Sequence, residues 1–183
     1  MAMVNIIKTT ACLLLLALMS FDSSQLPKKF SSLLERAQLT FEAPEGLKPT
    51  KIIENRQMNY EYALKYPATD FEVRYAIRPL DNLLKDYEQK EKNKQPGDIN
   101  IHPNKLYNSL LQATILNISG GQLPEIKVFD KNAVKQEFNA DWGALSFVEL
   151  GKEFGQGYKY CLVVAIHKED VADAYFFYLS KSR

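Results

Sequence analysis

The chain has 183 residues, 23 Lys and Arg against 22 Asp and Glu, a net charge of +1 and two cysteines. So even a balance lacks the basic footprint that neutralising nucleic-acid phosphates demands, which excludes nucleic acid as a partner. Once a short leader is set aside, the length suits one domain, and such a domain buries about 70% of its unfolded surface without disulfide staples.

The leader is residues 1–24. A single cation, Lys8, precedes nine apolar residues at 11–19, and the chain turns polar at Ser20. A helix that spans a bilayer needs about 20 apolar residues, so the pattern reads as a secretory signal peptide and not as a stable membrane insertion. The expected product is residues 25–183, exported to the periplasm or the extracellular space. Cys12 stands before the leucines, where no lipid-anchor pattern places its cysteine, and departs with the leader. Cys161 is then alone. Within the apolar segment 160–166 it is expected to be a buried, inert thiol.

In chain order, residues 31–36 suggest a short helical turn. Residues 39–42 suggest a short strand closed by Pro44, Glu45 and Gly46. Residues 58–66 and 71–78 alternate with a period of two, predicting a hairpin with one packed and one wet face. Glu61, Lys65, Glu72, Arg74 and Arg78 fall on the wet face, where opposite charges help set the register. Pro79 ends the second strand, and Leu80, Leu83, Leu84 and Tyr87 predict an amphipathic helix over 80–90. The mixed charges of residues 85–95 read as a solvated helix end and loop.

Asn100, Ile101 and His102 precede Pro103, which opens the longest helix; Gly120 and Gly121 stop it. Asp130 caps a further helix from Lys131, with Val134, Phe138 and Trp142 on one stripe and Gly143 as its end. Three strands close the chain, at 145–150, 158–167 and 174–180. The middle one is so continuously apolar that it is expected to be central and covered on both faces. Gly155, Gln156 and Gly157 lack the Lys and the following helix of a phosphate loop, and predict a tight turn. Strands, then helices, then strands argue the α+β class: an antiparallel sheet with helices packed on it.

Little catalytic chemistry is legible. Only two histidines exist; His102 reads as a capping residue and His167 as a polar strand end. No pair of residues has metal-ligand spacing, so neither a metal nor a cofactor is expected. Asp141 beside Trp142 suits a polyol, yet Trp142 lies on an apolar stripe. Asn117 begins a glycosylation triplet near a helix end, read as chance occurrence. The density of tyrosines in the strands hints at a recognition face, because the ring is apolar and the hydroxyl polar.

The segments LTFEAPEGLK, MNYEYALKYPATDFEVRYAIRP and YKYCLVVAIHKEDVADAYFFYL, in that order around the helices, resemble the PsbP-like superfamily. The likeness spans residues 38–181 and lies in the order of elements, so no site residue transfers from it. It implies an α/β/α sandwich and an accessory protein that works by surface contacts. The expectation is therefore a secreted, non-catalytic binding protein whose partner is another envelope protein. Tyr60, Tyr62, Tyr66, Arg74 and Trp142 are the candidate contact residues. The alternative is an envelope hydrolase with His167 or His102 as base beside a carboxylate such as Asp141 or Asp170.

Overall fold

The computed structural model describes residues 26–183; the signal-peptide reading of residues 1–24 lies outside them. In chain order come α1 (Lys28–Arg36), β1 (Lys48–Pro49), β2 (Tyr62–Lys65), β3 (Phe71–Pro79) and α2 (Asp81–Lys92). A 3-10 turn over Pro103–Lys105 leads into α3 (Tyr107–Ser119), β4 (Ile126–Val128) and α4 (Lys131–Phe138). The chain finishes with β5 (Trp142–Glu149), α5 (Lys152–Gly155), β6 (Tyr160–Lys168) and β7 (Ala172–Ser180).

The strands form one antiparallel sheet in the order β1-β2-β3-β7-β6-β5-β4. This is the α+β class that the order of elements predicts, with helices on both faces of the sheet. Its centre is β3, β7 and β6, nine residues each. Registered positions divide their side chains into rows. On one face Glu72, Leu179, Cys161 and Val148 make one row, and Arg74, Phe177, Val163 and Ser146 the next. Leu111, Ile115 and Ile118 of α3, with Phe154 of α5, seal this face. Cys161 is fully buried there, and burial pushes its thiol far up, which leaves no thiolate to react.

The opposite face is covered unevenly. Phe30 and Leu34 of α1, with Phe41 from the following extended segment, pack on Tyr62, Leu64, Val73 and Tyr75. That half of the sheet is closed. Over β5, among the described residues, only α4 comes close on this face, at Gly143, where an added Cβ would stand 2.9 Å from the Phe129 ring and 3.3 Å from Val134. Glycine is what lets α4 approach.

Several sequence expectations change. Residues 39–42 form no strand; Leu39 and Phe41 keep the alternation but pack as extended chain against the sheet. The first strand of the hairpin is only Tyr62–Lys65, because the chain bends at Glu61. There the Glu61 backbone N–H donates to Tyr75 O at 2.8 Å, and its carboxylate accepts from Ile77 N–H and Arg78. The bend sends Tyr60 to the sealed face and Tyr62 to the other. α4 ends at Phe138, with Asn139 left-handed at φ 48° as its cap, so Trp142 begins a strand instead of extending a helical stripe. Gly155, Gln156 and Gly157 do turn tightly, the Tyr158 N–H donating to Gly155 O at 2.9 Å, but the turn follows α5, which fills the rest of the connection, instead of joining two strands directly. β4 is a strand for which no sequence signal was found.

The largest change concerns charge. Glu72 and Arg74, expected in water, are buried beneath α5. Arg74 Nε donates to Glu72 Oε1 at 2.6 Å, and Nη1 donates to the Phe154 carbonyl. Its guanidinium lies against both the Tyr60 and Phe154 rings, 4.9 and 4.8 Å from their centroids. Pairing with a carboxylate, a carbonyl and two aromatic faces offsets the desolvation that normally keeps such groups outside.

Candidate functional site: the open half of the sheet

The remaining area of the less covered face forms the candidate site. The rows of this face are Val73–Tyr178–Leu162–Phe147, Tyr75–Phe176–Val164–Leu145 and Ile77–Ala174–Ile166–Gly143, and their β3 ends lie in the closed half. On β6 the residues of this face, Leu162, Val164 and Ile166, are all half-buried, whereas Cys161, Val163 and Ala165 on the sealed face are buried. β6 is thus central, as its apolar run predicts, but it is fully covered on one face only. Phe176 and Tyr178 are half-buried too, and Phe147 is 43% exposed.

An antiparallel sheet with one wet face usually alternates apolar and polar residues. Here the wet positions of β6 are branched aliphatic. Burying one such side chain fully stabilises by about 1.5–3 kcal/mol, so each retains a share of that gain for whatever covers it. Contiguous apolar surface of this kind marks interaction sites.

The patch has defined ends. At one, Phe147 and Tyr160 stack 5.8 Å apart, and Arg183 lies over both rings while its guanidinium pairs with Glu149 at 2.9 Å. At the other, the segment after α1 and the end of α4 face each other across a hollow.

The sequence-predicted contact residues are mostly elsewhere. Tyr60, Tyr62 and Arg74 are buried, and their side chains meet core partners, not solvent. Tyr66 is 38% exposed, with its ring against Gly46. Trp142 is half-buried on the sealed side, its ring 4.7 Å from Tyr107. The structure does not bring these five together. The residues that line the patch carried a different signal: strand positions on both parities of β6 that are all apolar.

The hydrolase candidates separate in the same way. His102 Nδ1 accepts the Asn104 N–H at 3.2 Å and its ring packs on Tyr87, a capping arrangement. Asp170 is bound to Asn104 by two hydrogen bonds, through its backbone N–H and its carboxylate. The Asp141 carboxylate accepts the Glu169 N–H, which, ahead of Lys135, holds its pKa below the usual carboxylate range.

His167 does have a carboxylate partner, one the sequence reading missed. Its Nδ1 lies 2.7 Å from Asp173 Oδ1. Arg78, Asp173, His167 and Trp142 form a single row across four strands of the sealed face. His167 is 1% exposed, Tyr107 stacks on its ring at 4.4 Å, and its Nε2 has no hydrogen-bond partner among the described residues. A general base needs reach to a substrate proton, and this ring is covered. Among the described residues no group of three His, Cys, Asp or Glu side chains is placed to hold a metal.

No protein-family model, no curated protein and no solved structure matches the chain.

Proposed function

We propose that this chain is an exported, non-catalytic binding or accessory protein that acts by surface contact with another envelope protein, and that the open half of its sheet makes the contact. The observation that carries the reading is the contrast along β6, where the residues of one parity are sealed and those of the other are apolar yet half open. The resemblance to the PsbP-like superfamily supports the same view, since its members mostly act through surfaces. Aromatic rings at the patch, Phe147, Tyr160, Phe176 and Tyr178, are of the kind that anchors protein interfaces.

The test is capture from envelope extract by the exported protein. Phe147→Asp and Leu162→Lys should each abolish recovery of the partner, while Leu83→Lys on exposed α2 should retain it. Equal recovery by all three would reject the open face as the contact.

A further inference from the structure

The hollow at the end of the patch is a cavity of about 420 Å3, within the range of small-molecule sites. Its origin is plain from the strand register. Phe176 and Tyr178 stand up from β7, but Ala172 and Ala174, opposite Lys168 and Ile166 of β6, do not. The floor therefore drops where two large residues give way to two alanines. Leu39 after α1 and Phe138 at the end of α4 form facing walls.

One cation enters this apolar space. Lys168 lines the cavity, is half-buried, and joins no ion pair among the described residues. At the end of α1 the carbonyls of Leu33, Glu35 and Leu34 are taken by the N–H groups of Ala37, Gln38 and Leu39. Glu137, exposed on α4, reaches the same cavity and carries the opposing charge.

We propose that this cavity binds a small amphiphile made of an apolar chain or ring and a single carboxylate, with the apolar part on Ala174, Ile166 and Phe176 and the carboxylate at Lys168. A partly desolvated lysine with no acidic partner gains most from an anion that brings its own apolar cover. Such a ligand shares Ile166 and Phe176 with the patch and leaves its outer rows at Leu162 and Phe147 free.

Titration with decanoate, decanol and decyltrimethylammonium, followed by amide NMR shifts, tests this without any partner protein. Decanoate should shift Lys168, Ala172 and Ala174 and bind more tightly than either of the others. Lys168→Gln, at a half-exposed position that does not threaten folding, should weaken decanoate about five-fold and leave decanol unchanged. Glu137→Gln should tighten decanoate, and Ala174→Phe should fill the floor and abolish binding of both. The proposal is overturned if decanoate shifts Leu162 and Phe147 instead, if it shifts nothing, or if Lys168→Gln leaves its affinity as it was.

Discussion

The two faces of this sheet are built from the same strands and have opposite fates. On the sealed face even a glutamate, an arginine, a histidine and an aspartate are buried, because each has a partner close at hand. On the other face leucine, valine and isoleucine of β6 are left half open, because α1 covers only the β2–β3 half. Coverage by helices, not the polarity of the strand residue, decides what is buried. A polar residue under a helix is kept by pairing, and an apolar residue without a helix remains available.

The contrast is broken most forcefully at the buried ion pair. Arg74→Met should cost about 3–5 kcal/mol, since it strands the Glu72 carboxylate in a dry site. Arg74→Met with Glu72→Leu should recover most of that loss. Urea midpoints of the two variants decide the matter; a single variant as stable as the parent would mean the pair is solvated.

Matched truncations sharpen the comparison further. Ile115→Ala, on the side of α3 packed against the sealed face, should cost about 2–5 kcal/mol through the cavity it leaves. Leu162→Ala, on the open face, should cost about 1 kcal/mol or less, because its side chain has less cover to lose. Equal losses in thermal unfolding would show that both faces are closed in solution.

The smallest effect is expected where the last hairpin turns. The Asp141 carboxyl has its pKa lowered in the fold, mainly by the Glu169 N–H. Its contribution is therefore present above the unfolded value of about 3.9 and is lost as pH falls through the lower folded value. The side chain is about one-third exposed and its Lys135 partner more so, which screens the interaction, so Asp141→Asn should cost only a few tenths of a kcal/mol near neutrality. The gap in melting temperature between variant and parent should close in strong acid.

Much of the fold was legible in local patterns. The helices of α2, α3 and α4 announce themselves by spacing, and two ends are as expected, with Asp130 accepting from Asn132 and Ala133 and with Gly120 left-handed at the end of α3, although Pro103 opens only a 3-10 turn and α3 itself begins at Tyr107. The last hairpin follows from two apolar runs and a short link. Other elements depended on distant partners. The bend at Glu61 is fixed by Tyr75, Ile77 and Arg78, and the capping of α4 by Asn139 stops a stripe that could have run to Trp142. Three residues of β4 are too few for a period to show.

The candidate site was less legible, and Arg74 shows why. Alternation correctly placed it on the opposite side of β3 from Val73 and Tyr75, but alternation cannot say whether a helix lies above that side. The Phe154 carbonyl that accepts its hydrogen bond is eighty positions away in the chain. Aromatic richness likewise identified tyrosines without saying which would be roofed over.

By itself, then, the amino-acid order determined the long strands and helices, the class they build and, within β3, β6 and β7, which residues share a face, because these depend on steric and hydrophobic periods a few residues long. Only the tertiary structure decided which face of the sheet is closed, that His167 meets Asp173, and that two alanines on β7 leave a hollow beside Lys168. Those outcomes depend on where α1, α3, α4 and α5 come to rest, and that is set by packing between segments far apart in the chain.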